Sequence, residues 1–289
     1  MHDLCCIGHI TSDKVVTAQN TSHMPGGTAY YFSKALSKID IDYLLATSVA
    51  PAEDHYVNAL RKEGIDVNLR PSTHTVIFEN IYAENQDERT QNVLATADPF
   101  QLAQIESLEA KVFHLGPLLP DDFSVEVIKA LKKKGIVSVD IQGFLRKVEN
   151  NKVYPTDWPE KREALQYVDV LKADVAELKA LTGLPTVEAG LKLLADWGLK
   201  EVVITNASKG SVIYRDRIFY KIPAYPPRTL IDATGCGDTY MAAYLYRRIK
   251  GYDLEPSGKF AAAMASLKME TSGPFSGTEQ DVTDFLNAS

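Results

Sequence analysis

The sequence lacks most features that would place it in a membrane, in an oxidising compartment or on a nucleic acid. No apolar run approaches the roughly 20 residues a bilayer demands. The start, MHDLCCIGHI, has neither a basic segment nor a long apolar core, so it does not read as a secretory leader. Only three cysteines occur in 289 residues. Two of them, Cys5 and Cys6, are adjacent in an expected strand and point to opposite faces, so they cannot readily pair with each other. No C-x-x-C or H-E-x-x-H spacing is present, which removes the common zinc sites. Basic residues are in the minority, 31 against 38 acidic ones for a net charge of -7. That balance is unlike a nucleic-acid-binding or anionic-membrane surface. The expected setting is cytoplasmic, with no nucleic-acid and no membrane partner.

What is present is strand–helix alternation. Short β-rich apolar runs at 4–8, 43–49, 111–116, 136–141, 168–173 and 201–205 are separated by helical patterns at 27–38, 51–63, 99–109, 121–134, 174–182 and 186–197. Near-continuous apolar strands alternating with helices predict an α/β fold, a mainly parallel sheet covered on both faces. One region breaks the rhythm. Residues 68–97 hold two extended runs around a polar turn at 84–88, with no helical period. Together with residues of about 13–25 they read as a small β-sheet lid inserted in a single domain spanning 1–289; an antiparallel edge of the main sheet is the other reading. Arg89 in this segment is either a closing residue or a solvated charge. Two such amphipathic sheets packed on each other would make a homodimer through the lid. A further hairpin is expected over 210–223, turning at Arg215-Asp216.

The chemistry concentrates in DATGCGDTY, residues 232–240. Gly235 and Gly237 allow a sharp turn and close approach to a ligand, and a helical pattern starts at Gly237. The amides of Gly235, Cys236, Gly237 and Asp238 therefore sit at a helix N-terminus, where unpaired N–H groups favour an anion. A carboxylate beside a bound phosphate is unfavourable unless it has a task, such as taking a proton from an attacking hydroxyl. The usual phosphate loops are absent. Gly258-Lys259 is followed by Phe260, which breaks the Walker pattern, and Tyr240 occupies the place of the third Rossmann glycine.

DATGCGD resembles the D-T-x-G-A-G-D signature of the ribokinase-like (PfkB) sugar kinases, and further motifs follow in that family's order along nearly the whole chain. GHITSD (8–13) is similar to the segment ending in a substrate-binding aspartate, which implies that role for Asp13. PGGTAYYFSKAL (25–36) is similar to the glycine-pair motif, placing Gly26 and Gly27 against substrate. KADVAELKALTG (172–183) resembles the N-x-x-E segment, which implies that Glu177, with Asp174, organises Mg²⁺ through water. VITNASKGS (203–211) resembles the phosphate-contacting turn, with Thr205 and Gly210 retained, and AAAMASLKMETSGP (261–274) the segment flanking adenine, with Ala263 and Ser266. Asp232 and Thr234 match positions contributing to a monovalent-cation site, such as one for K⁺, in some members. The resemblance implies a three-layer sandwich with a small β-sheet lid. It also implies transfer of the γ-phosphoryl group of ATP to an alcohol of a sugar or cyclitol, with Asp238 as general base and the 235–238 amides as anion hole.

Four positions depart from the pattern. Cys236 replaces alanine, Asp174 replaces asparagine and either aids the metal or caps a helix, Ala207 replaces a glycine, and Tyr31 stands where many members carry a substrate-contacting asparagine. GGTAYYFS (26–33) and VDIQGFLRK (139–147) resemble the inositol-kinase-like branch. Tyr30 and Tyr31 either stack on a ring of the substrate or form a buried helix face, and Arg146 either reaches substrate or is an exposed loop arginine. The alternatives are a non-catalytic nucleotide- or sugar-binding member of the fold, and a nucleoside kinase. His9 and His114, at strand ends, read as hydrogen-bonded structural residues.

Overall fold

Leu4, Cys5, Cys6 and Ile7 are all fully buried, because their strand lies inside a sheet that is covered on both faces. The structure, a computed structural model, describes residues 1–16, 21–82 and 89–288. The expected 84–88 turn and the Arg89 side chain lie outside them. The large sheet has nine strands, in the spatial order Ile218–Ile222, Ser211–Arg215, Glu201–Thr205, Val170–Asp174, Ile136–Asp140, Ala110–Leu115, His2–Ile7, Tyr43–Val49 and Asp66–Pro71. The first two form an antiparallel hairpin that joins Glu201–Thr205 antiparallel, and the other pairings are parallel. Leu4, Cys6 and Leu45 pack on one face with Phe32, Met241 and Phe260, from the helices Thr28–Leu36, Cys236–Ile249 and Leu254–Met269. Cys5, Ile7 and Leu44 pack on the other with Ile128, Leu178 and Leu191. This is the expected three-layer sandwich, and the two adjacent cysteines do face opposite layers.

A second sheet of six strands has the order Arg146–Glu149, Lys152–Pro155, Arg89–Ala95, Ile77–Tyr82, Thr11–Val16 and Thr21–Gly26. It has its own small core of Val76, Phe78, Val93, Leu118 and Leu119. Its strand Thr11–Val16 begins four residues after the carboxyl end of His2–Ile7, which places the small sheet beside the carboxyl ends of the large one, where open α/β sheets bind ligands.

The boundaries differ from expectation in instructive places. Asp66–Pro71 pairs with Tyr43–Val49 in the large sheet, so the second lid segment does not start at 68; buried Val67, opposite Leu45, anchors that edge. The small sheet instead gains a hairpin at 146–155, turning on Asn150 and Asn151, both with positive φ, which asparagine tolerates. The other hairpin turns on Asp216-Arg217, one residue later than expected. The expected helix 99–109 shrinks to Leu102–Ile105, capped by Gln101 and Gln104, since the chain must reach a strand at Ala110. The expected helix 121–134 forms only over Val125–Lys132, from its cap at Ser124, because Asp122 accepts from the amides of Leu118 and Leu119 and holds the preceding turn.

Ala207 has φ 44°, a left-handed conformation that alanine adopts at a cost of about 1–2 kcal/mol. Ala207→Gly relieves this but frees the unfolded chain, an opposing effect of about 0.4–1 kcal/mol. The variant is expected to be more stable by about 0.5–1 kcal/mol in urea unfolding; a less stable one would show that the turn is not strained.

Candidate active site

The turn before the Cys236–Ile249 helix works because Gly235 takes φ 74° at the N-cap and carries no side chain. A Cβ there would collide with the Tyr31 ring, which supports the turn from below. Thr239 is the first residue whose amide reaches back to Gly235, at 2.9 Å, and Cys236 N–H is drawn into the turn by Ala233 O at 3.3 Å. The amides of Gly237 and Asp238 are left in the first turn, where a helix offers no acceptor. On Gly237 an added Cβ would come 3.1 Å from Lys172 Nζ, so a cation lies directly against the backbone expected to hold an anion.

Lys172 and Asp140 are register partners at the carboxyl ends of adjacent parallel strands. Their side chains are 8 % and 4 % exposed and meet at 2.8 Å. Burial opposes the charge on Lys172, but Asp140, Glu177 and Asp238 outweigh it and hold the ammonium above its usual range. Asp238 retains some solvent contact at the edge of this cluster. Burial and then the charge of Asp140 push its carboxyl up to about 6, against the pull of Lys172, a hydrogen bond from Thr28 and the nearby Arg146. Thr28 is packed against Gly116, where any Cβ would strike its methyl. A carboxylate poised near neutrality, hydrogen-bonded, and set between helix amides and a cation is arranged to take a proton from a hydroxyl.

The residues expected to hold the acceptor lie around the start of the Thr28–Leu36 helix. A Cβ on Gly26 would lie 2.5 Å from Asp13 Oδ2, and one on Gly27, at φ 84°, 2.7 Å from His9 O. The glycine pair therefore lets Asp13 lie flat against the start of the Thr28–Leu36 helix. Arg146 reaches in from the small sheet, with Nη1 3.4 Å from Leu118 O. Tyr31 is not a substrate platform: it is 4 % exposed, packed under Gly235 and flanked edge-on by Tyr30. His9, stacked on Phe100, and His114, stacked on Phe32 and bonded to Ser138 Oγ at 3.0 Å, are structural. The Cys236 thiol is pushed up to about 11, by burial above all, so it stays protonated near neutral pH and is no nucleophile.

Asp174 resolves as a helix cap. Its Oδ1 accepts from Glu177 N–H at 2.7 Å and Glu177 Oε2 accepts from Asp174 N–H at 2.7 Å, a closed capping box. Burial raises Glu177 to about 7 despite Lys172. Among the described residues no three His, Cys, Asp or Glu side chains are grouped to hold a metal ion. The surplus of carboxylates around Lys172 nevertheless suits Mg²⁺ bound through water and ligand phosphates.

Two other expectations change. Ala263 has no exposed surface, and Ser266 Oγ is engaged with Ala262 O at 3.0 Å and with Tyr225 O, so neither side chain is free to meet a nucleotide. Thr205 and Gly210 border the strand end, and Gly210, at φ 86°, has no room for a Cβ beside Ile222 O. Asp232 and Thr234 do not make an open cation site, because Lys268 Nζ occupies it, 3.0 Å from Asp232 Oδ2 and 2.8 Å from Asp232 O. Sequence reasoning missed Lys172, Asp140, Thr28 and Lys268. A charged residue inside an otherwise apolar strand or alanine-rich helix was the available signal, since such groups are buried only when paired.

The profile described as pfkB family carbohydrate kinase matches residues 1–281. A cytidine kinase of Thermococcus kodakarensis is 27% identical, covering 96% of this chain and 100% of its own. A pyrophosphate-dependent kinase in the ribokinase family, solved as a sulfate complex, is 29% identical with a TM-score of 0.86, over 97% of this chain and 99% of that one. A structure of such a kinase with a pyrophosphate analogue and myo-inositol is 28% identical, with a TM-score of 0.85 and the same coverage.

Proposed function

The chain belongs to the pfkB family of carbohydrate kinases, and from that membership we propose that it transfers the γ-phosphoryl group of ATP to a hydroxyl of a cyclitol or sugar. The observation that carries this reading is Asp238, raised to about 6 and held by Thr28 beside the first-turn amides. Asp13 and Arg146 orient the acceptor so that one hydroxyl faces Asp238, which takes its proton as the new O–P bond forms and the bond from the γ-phosphorus to the bridging oxygen breaks, releasing ADP. Charge on the transferring group is met by the amides of Gly237 and Asp238 and by Lys172; such transfer needs little beyond positioning, charge stabilisation and a base. Glu177, with Asp174 holding it in place, would carry the water shell of Mg²⁺, which supplies neutralisation of the donor phosphates. A binding protein without catalysis has no use for a base so placed.

Leu230 and Ile231 are 68% and 57% exposed directly before the anion turn. Large apolar side chains left in water there suit the flat base of a nucleotide donor, which favours ATP. Pyrophosphate is the second reading, because a kinase using it is similar over nearly the whole chain. The cyclitol preference rests on the similar structure holding myo-inositol, and the nucleoside alternative on the similar cytidine kinase. A panel of inositols, pentoses, hexoses and nucleosides, each with Mg-ATP or Mg-pyrophosphate, is expected to respond to ATP with a cyclitol or sugar. Turnover of nucleosides alone would move the acceptor, turnover with pyrophosphate alone the donor, and silence with ATP binding intact would favour the non-catalytic alternative. The expected homodimer would cover the exposed Leu94 and Tyr154 of the small sheet; a monomer in light scattering removes it.

A further inference from the structure

We infer that the ammonium group of Lys268 is a built-in replacement for an external monovalent cation, so that the turn forming the anion site is ordered without K⁺. This deepens the kinase reading and concerns the same site. Lys268 lies near the end of the Leu254–Met269 helix, in the run AAAMASLKM, and its side chain has no solvent exposure. A buried ammonium group is retained only where oxygen atoms replace its water. Here Nζ donates to Asp232 O at 2.8 Å and lies 3.0 Å from Asp232 Oδ2. The face of Tyr31 lies 5.7 Å from it, within the range of a cation–π contact. A carbonyl, a carboxylate and an aromatic face are the surroundings a desolvated monovalent cation would choose.

The same carboxylate ties down the turn. Asp232 Oδ1 accepts from Thr234 N–H at 2.8 Å and Oδ2 from Gly273 N–H at 3.2 Å. The ring of Tyr31 in turn supports Gly235. Lys268 is thus joined through Asp232 and Tyr31 to both sides of the turn that presents the Gly237 and Asp238 amides. A free cation at this place would meet a fixed positive charge on the same oxygen atoms. Lys268 is therefore a positioning residue; it acts through Asp232 and the turn.

The test compares KCl with choline chloride at equal ionic strength, so that screening is the same in both. A cation that binds the native state raises its melting temperature as its occupancy grows. Wild-type protein is expected to melt at the same temperature in both salts, and turnover is expected to differ by less than about twofold where ordering is already complete. A K⁺-specific rise in melting temperature, or activation well beyond that, overturns the inference. Lys268→Ala is expected to melt lower in choline and to recover partly with K⁺ or NH₄⁺, its turnover falling about 10–100-fold in choline and recovering in parallel. Equal destabilisation in every salt would make Lys268 a core ion pair only and would also overturn it, as would a variant that melts like wild type in choline. If Lys268→Ala does not fold, the wild-type salt comparison decides alone. The melting measurement needs no turnover, so protein inactive on every acceptor yet showing this pattern would sink the kinase reading and leave this one standing.

Discussion

Asp238→Asn is expected to slow phosphoryl transfer by roughly 10²–10⁴-fold while making the protein harder to unfold at pH 7.5. Loss of rate follows from loss of the base, since asparagine keeps the shape and can still meet Thr28 but cannot accept the proton. The gain in stability follows from linkage. The carboxyl is raised from 3.8 to about 6 in the folded state, so between those values the folded protein holds more protons than the unfolded chain. Its stability therefore falls as pH rises through that window. Above pH 6 the folded state bears the full cost of the ionised group, about 1.4 kcal/mol for every tenfold difference in proton affinity between folded and unfolded chains. Because the side chain keeps some solvent contact, the net gain expected for Asn is on the order of 1–2 kcal/mol. Wild-type kcat/KM is expected to rise about tenfold per pH unit up to about pH 6 and then level, a limb absent from the residual activity of the variant. Unchanged turnover removes Asp238 as the base, and a variant less stable at pH 7.5 removes the argument that its ionised carboxylate is under strain.

Legibility of this site in the sequence followed the range of the interactions. The Gly235–Asp238 turn and the Gly26–Gly27 pair are local features whose backbone demands are written in a few adjacent residues, and the structure places them together. Alternation of strands and helices gave the two-faced sheet for the same reason. The Arg146–Glu149 strand was hidden because its partners are in the small sheet, and Asn150-Asn151 was the one local mark of its turn. Tyr31 showed its size but not its direction; whether an aromatic ring on a helix meets substrate or supports a turn depends on a glycine 204 positions later. Asp232 was placed at a cation site from its motif, yet in the structure its oxygen atoms meet a lysine 36 residues away. Pairings across the sheet and between helices are set by register and packing, which a single sequence does not display.

The pair Lys172–Asp140 shows what such hidden pairing is worth. Lys172→Met removes the central cation from beside Asp140, Glu177 and Asp238, leaving the buried Asp140 carboxylate without its ion-pair partner and three acidic groups with no cation between them. Breaking a buried pair from one side destabilises by about 3–5 kcal/mol, and that is the loss expected in urea unfolding. Asp140→Asn relieves part of the remaining charge, so the Lys172→Met, Asp140→Asn double variant is expected to be less damaged than the sum of the single changes, by about 1–3 kcal/mol. Additive losses would show that the 2.8 Å contact carries no coupling. Restored stability should not restore function. Lys172 Nζ also lies against the Gly237 backbone, so the double variant is expected to remain about 10²–10³-fold slower than wild type, as for loss of one donor to a developing charge. A double variant that regains both stability and turnover would confine Lys172 to balancing Asp140. One that regains stability alone separates the two roles: Asp140 keeps the cation in the sheet, and the cation faces the phosphate from there.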